Sequence, residues 1–498
     1  MSKSPKIEPM TAEDGGSLSA LAEPATDEAM AAEPGSPRMP APIGVERPRH
    51  ARRRRNRRRI KWSLAVVIVV VLLSSGLFAT QRVSRPLVQP TLPSDRHSYS
   101  LVRGSAPALP WPTAGQAAVA IPSLGYAQQS GLEGPVPIAS LTKMATAVVI
   151  LHDHPVALNA SGPSITITAA DAAQFDVDLQ TDQTNVPLQV GETLTELQML
   201  EALLNQSADD IAYSIAVWDA GTESAFVTKM NSLATSLGAV HTHYVDASGF
   251  QPQSVSTAAD SLRIAAAGMA IPAFADVVGM PTVSLPLVGT VHNIVTEVGT
   301  NGVVGIKSGY TAQSAGCMVL AGYRTIRGRS VLVMASALAQ REQSSAAVTS
   351  PPTASSTTGA VAATPASTMT TAPYSALEAQ YPLRYTGPLV ENLLDAAEAA
   401  VVPVAVAKPG TALGTATSDW DGVRHEVPAI ASQASWLLGV PGQRVVLGTT
   451  SSAAPKERTP HNQVGAARFT LGKQTEIVPL RLLHTVAEPA WWWKLIHG

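Results

Sequence analysis

Residues 138–151 read IASLTKMATAVVIL, and this stretch sets how the rest of the chain is read. Its apolar run has helical length and predicts a helix opening at Ser140. Residues three apart on a helix share a face, which brings the Lys143 amine toward the Ser140 hydroxyl. Serine is a poor nucleophile until a base takes its proton. Lysine is such a base only when burial or a second cation disfavours its charged form. The helix N-terminus adds a positive field at the serine. Ser140-Leu141-Thr142-Lys143 is the only S-x-x-K in the chain. Alone it means little, because most such pairs are a capping serine and a solvated lysine.

Two further tripeptides matter. Ser207-Ala208-Asp209 falls between the helical runs ETLTELQMLEALL (192–204) and DDIAYSIAVWDA (209–220). A short turn there points side chains into a cleft, or else Ser207 or Asp209 merely caps the second helix. Lys307-Ser308-Gly309 sits in GVVGIKSG (302–309), a strand-like run. Lys307 would supply the second cation beside Lys143 and hold a substrate carboxylate, with the Ser308 hydroxyl on the same group. Gly309 would let a substrate backbone lie flat on the strand edge.

Taken in order, S-x-x-K, S-x-D and K-S-G resemble the signature of serine penicillin-recognising enzymes. IASLTKMATA, VGETLTELQMLEALLNQSADD and GVVGIKSGYTAQSAGC each resemble the matching stretches of the D-alanyl-D-alanine carboxypeptidases. The resemblance implies a β-lactamase/transpeptidase-like α/β (α+β) domain with a C-terminal all-β domain. It implies Ser140 as nucleophile, Lys143 as general base and Ser207 as proton relay. Lys307 and Ser308 would grip the terminal carboxylate, and the backbone N–H groups of Ser140 and Tyr310 would hold the oxyanion. The implied substrates are peptidoglycan stem peptides ending in D-Ala-D-Ala. β-Lactams would be covalent inhibitors, and neither metal nor organic cofactor would be needed. Asp209 departs from the family, which has asparagine there. Asparagine both donates and accepts, whereas an aspartate only accepts and its charge favours protonated Lys143. A class A β-lactamase shares the three motifs but needs a deacylating glutamate well upstream of Lys307. Glu297, which forms E-x-x-x-N with Asn301, stands too close. The remaining alternative is a non-catalytic envelope scaffold that keeps the fold.

The chain has 498 residues and a formal net charge of −2, so no global field points to nucleic acid. Its cations are segregated. RPRHARRRRNRRRIK (47–61) is nearly all positive, while only seven of ten lysines follow Arg82. From Trp62 to Gln81 there is no charge, and twenty residues at ~1.5 Å each span a bilayer's hydrocarbon core. Positive residues stay cytoplasmic, so this predicts a single-pass anchor with the catalytic domain outside. Sixty-one preceding residues and the lack of an A-x-A-like site disfavour a cleaved signal peptide.

Residues 1–61 read as a disordered cytoplasmic tail, and 82–105 as an extended stalk. The peptidase domain is expected over 106–400, with a Ser/Thr/Pro/Ala-rich disordered insert at 343–374. Within it SITITA (164–169) predicts a strand, and STAADSLRIAAAGMA (256–270) and ENLLDAAEAA (391–400) predict helices. GCMVLAGYR and SVLVMASAL predict strands joined by a hairpin at TIRGR. From 401 to 490, short β-like runs between Gly and Pro predict the second domain. The tail, 491–498, carries three adjacent tryptophans. The lone Cys317 excludes an internal disulfide and reads as a small buried hydrophobe.

Overall fold

A computed structural model describes residues 50–84, 91–93, 98–131, 134–341, 374–420, 423–451, 463–486 and 489–497. The expectations for residues 1–49 and for nearly all of the 343–374 insert lie outside these. The chain divides into two compact units, Met1–Arg82 and Val83–Gly498.

The first unit contributes helix α1, His50–Val83. Within it Arg59–Val83 is long and apolar enough to cross a membrane, and its leucines, such as Leu64, Leu72 and Leu73, are exposed.

The second unit is built on two antiparallel sheets. Strand β1 is Ser98–Leu101, β2 Gln116–Ile121 and β3 Tyr126–Gly131. A 3₁₀ turn, Ala139–Leu141, leads into α2, Thr142–Asp153. Then follow α3 Ala169–Gln180, α4 Glu196–Asn205, α5 Asp209–Ala220, α6 Glu223–Ser236, α7 Ala258–Met269 and α8 Pro272–Val278. Strands β4 Val303–Thr311, β5 Ala315–Ile326 and β6 Arg329–Gln340 precede α9, Tyr374–Ala399. The first sheet has the order β4-β5-β6-β2-β3. It is buried on both faces by strict alternation. Cys317, Val319, Ala321, Met334 and Leu338 face the helices around α2, whereas Met318, Leu320, Val333, Ala335 and Ala337 face α9. In α2 every residue from Thr142 to Leu151 is buried, which is why its sequence is apolar all round. Thr168 and Thr195 start α3 and α4 with capping boxes.

The second sheet takes β1 and five of seven further strands, which are β7 Val402–Ala407, β8 Ala412–Trp420, β9 Val423–Ala431, β10 Ser435–Gly439, β11 Arg444–Ser451, β12 Gln463–Leu471 and β13 Gln474–Leu482. Its order is β1-β11-β12-β13-β9-β8, with β7 pairing β10 alongside. This corrects the stalk expected at 82–105. Ser98–Leu101 pairs with Arg444–Leu447, and Thr91 bridges Thr417 at the opposite edge. Leu92 and Val102 are buried in the same core. The α9 helix begins seventeen residues before the run read from sequence, at Tyr374. The Trp-rich tail forms a short helix α10, Trp491–His497.

The two sheets meet at the far end of the first one. Arg329 binds Glu476 at 2.7 Å and stacks over Trp436 at 4.1 Å, and Gln443 donates to the Leu124 carbonyl. That leaves the opposite end, at Gly309–Thr311, clear of the β domain.

Candidate active site

The three motifs converge on Lys143. Its Nζ donates to Ser140 Oγ at 3.0 Å, to Asp209 Oδ1 at 2.5 Å and to the Ser248 carbonyl at 2.9 Å. The side chain is fully buried, and an ammonium's three donors match those three acceptors. The predicted i, i+3 contact therefore forms, with Ser140 in the 3₁₀ turn rather than on the α-helix itself.

Asp209 opens α5, but Ala208 is the cap position and makes no side-chain cap bond. The capping reading of Ser207 and Asp209 is thus replaced by an ion pair. Asp209 Oδ2 accepts the Thr184 amide at 3.1 Å. Burial pushes the Asp209 carboxyl up from the ordinary aspartate value, the Lys143 charge and hydrogen bond pull it back, and Asp246 pushes it up again. Neighbouring Asp210 is raised well above its ordinary value by burial, and Asp178 to about 6. Ser207 turns the chain between α4 and α5 with φ of 61°, a left-handed conformation uncommon for serine. It is buried, and its hydroxyl makes no side-chain hydrogen bond among the described residues.

Lys307 and Ser308 lie on β4, the edge strand of the first sheet. Lys307 is buried and donates to the Ser308 carbonyl at 3.0 Å, which leaves donors unspent. Burial, then the Lys143 ammonium, hold Lys307 well below the ordinary lysine range, with Asp209 offsetting part. The Ser308 hydroxyl is buried without a hydrogen-bond partner, an arrangement that a bound carboxylate would satisfy. Gly309 has a use the sequence did not suggest. A Cβ there would sit 2.8 Å from the Ser140 backbone nitrogen and 3.1 Å from Ala139 Cβ. Glycine is what lets the edge strand approach the turn that carries Ser140. Tyr310, the next residue, is half-buried and pairs with Gly316 across the sheet. Cys317 is buried behind it and its thiol is raised to about 12, an inert core residue as read.

Sequence reasoning missed the Ser248 carbonyl, 105 residues from Lys143. The only available signal was the turn-forming run Asp246-Ala247-Ser248-Gly249.

The site thus joins a serine hydroxyl bonded to a buried lysine with a second lysine and an open hydroxyl on an adjoining edge strand. Residues 128–337 match the family model of the D-alanyl-D-alanine carboxypeptidases. It is 34% identical over 138 residues to a D-alanyl-D-alanine endopeptidase of Pseudomonas aeruginosa, covering 28% of this chain and 41% of that protein. It is 32% identical over 182 residues to the D-alanyl-D-alanine carboxypeptidase DacB2 of Mycobacterium tuberculosis, covering 35% and 58%. The matched parts thus span less than two thirds of either relative. Penicillin binding protein 5 from Haemophilus influenzae aligns over 78% of this chain and all of its own, with 15% identity and a TM-score of 0.48.

Proposed function

We propose that the protein is a serine-type D-alanyl-D-alanine carboxypeptidase that removes the terminal D-alanine from peptidoglycan stem peptides. Helix α1 would hold it at the cell membrane, the arginine run on the cytoplasmic side and the catalytic domain outside. The observation that carries this reading is the 3.0 Å contact between Lys143 Nζ and Ser140 Oγ, beside Lys307 and an unpartnered Ser308 hydroxyl.

In this reading Ser140 Oγ bonds to the carbonyl carbon between the two D-alanines, and its proton passes to Lys143 as free amine. The backbone N–H groups of Ser140 and Tyr310 stabilise the oxyanion. The C–N bond then breaks, the departing amine takes a proton relayed through Ser207, and D-alanine leaves. Water adds to the resulting ester and gives its proton to Lys143, which returns it to Ser140 Oγ as the C–Oγ bond breaks, restoring the hydroxyl and the free amine. Lys307 and Ser308 hold the terminal carboxylate throughout, and a β-lactam would stop at the ester.

The test is fluorescent-penicillin labelling together with D-alanine release from a D-Ala-D-Ala peptide. Ser140→Ala should abolish both with the fold intact. Labelling of that variant near the wild-type level would overturn the assignment. The 2.5 Å Lys143–Asp209 pair favours the second reading, a slowed or silent scaffold; rapid Ser140-dependent turnover by the wild type would exclude it.

A further inference from the structure

We propose that Asp246 is a positioning residue for Lys143, acting through the backbone carbonyl of Ser248. The inference rests on the reading of Ser140 and Lys143 as nucleophile and base.

The turn from Asp246 to Gln251 folds around one carboxylate. Asp246 Oδ2 accepts from the Ser248 hydroxyl at 3.2 Å, the Gly249 amide at 3.1 Å and the Gln251 amide at 3.0 Å. Oδ1 accepts from the Ser254 hydroxyl at 2.5 Å. Two outside contacts lock Ala247 between these. Its amide donates to Glu223 Oε1 at 2.9 Å, and its carbonyl accepts from Thr146, one turn beyond Lys143 on α2, at 2.6 Å. Gly249, at φ of 86°, packs so closely that a Cβ would overlap the Ala139 carbonyl of the catalytic turn. The outcome of this scaffolding is one buried acceptor held toward the lysine, the Ser248 carbonyl, 2.9 Å from Lys143 Nζ.

That acceptor sets where the amine stands. Lys143 contacts Ser140 Oγ at 3.0 Å but Asp209 at 2.5 Å, and the charged contact is the stronger pull. Without the Ser248 carbonyl nothing on the described residues opposes that pull, and Nζ moves away from the hydroxyl whose proton it must take. A misplacement of ~1 Å costs about a hundredfold in rate. Asp246 touches none of the reacting atoms, so the proposed effect is geometric, beside the charge it places near Asp209.

The experiment measures benzylpenicillin acylation of the detergent-solubilised full chain, beside affinity for a D-Ala-D-Ala peptide and the thermal midpoint. Asp246→Ala should acylate about a hundredfold more slowly while peptide affinity, set on β4, stays unchanged. Asp246→Asn keeps an oxygen for the Gly249 and Gln251 amides and should remain within about fivefold of wild type. Should Asp246→Ala fail to fold, Ser254→Ala, which removes one of the four bonds, should still slow acylation severalfold. Wild-type rates in Asp246→Ala or Ser254→Ala overturn the proposal. So does an Asp246→Asn as slow as the alanine variant, since charge would then matter and not geometry. A wild-type chain without Ser140-dependent labelling overturns the nucleophile reading itself, a distinguishable result.

Discussion

Replacing Asp209 by asparagine should make the enzyme faster. The carboxylate stands 2.5 Å from Lys143 Nζ, and two unit charges at that distance attract by about 7 kcal/mol at an effective dielectric of 20. Desolvation of two buried groups cancels much of this. If a fifth survives, about 1.4 kcal/mol of attraction is lost when Lys143 acts as base, a tenfold effect on rate. Asparagine keeps the shape and gives up either the Lys143 contact or the Thr184 amide bond, at a cost of roughly 1 kcal/mol of stability. The other charges near the cleft, Lys307, Asp178, Asp246 and Glu223, are unchanged. Acylation by benzylpenicillin should rise about tenfold at pH 7. Stopped-flow measurement of both forms from pH 6 to 9 decides the matter. An unchanged or slower Asp209→Asn would refute the electrostatic reasoning and give Asp209 a catalytic part of its own.

Other outcomes follow from the rest of the molecule. Glu196 is buried at the start of α4 with both oxygens unpartnered, and burial raises its carboxyl from 4.5 to about 7. The folded state then binds the proton more tightly, so the stability it contributes is complete below pH 4.5 and fades as pH rises through 7. Glu196→Gln should gain on the order of 2 kcal/mol over wild type at pH 8 and little at pH 4, read by urea denaturation. A chain lacking residues 1–105 loses β1 with Leu92 and Val102, and should melt several kcal/mol less stable than one lacking 1–83; equal stability would show that the strand is dispensable. Trp491 and Trp492 are exposed on α10, and indoles favour the membrane interface. A chain lacking residues 1–85 should bind anionic liposomes, and Trp491→Ala with Trp492→Ala should abolish that binding.

The catalytic groups were legible because each is tied to a short run. Ser140 and Lys143 are three apart, and Lys307, Ser308 and Gly309 are adjacent on one strand. Asp209 was half legible: its charge next to Lys143 could be argued, but capping competed until Ala208 was seen to hold the cap position. The Ser248 carbonyl was not legible, since a backbone atom carries no side-chain signature. Strand β2, QAAVAI, escaped notice because both faces are buried and small alanines blur the alternation. Helix α6, ESAFVTKMNSLATS, buries only Phe226, Met230 and Ala234 and gave a faint periodicity. The stalk was misread because Pro-rich extended chain and an edge strand look alike without the partner, which lies at 444–447.

That partnership orders events during biogenesis. Strand β1 is made first, yet Arg444–Leu447 must be made before it can pair. The peptidase sheet, whose strands all lie between 116 and 340, is complete well before then and is free to condense on its own. Until the last hundred residues are delivered, Leu92 and Val102 have no core to enter. A chain cut short in translation would therefore present a complete first sheet beside a lone unpaired strand, a form open to proteolysis and to pairing with a neighbour.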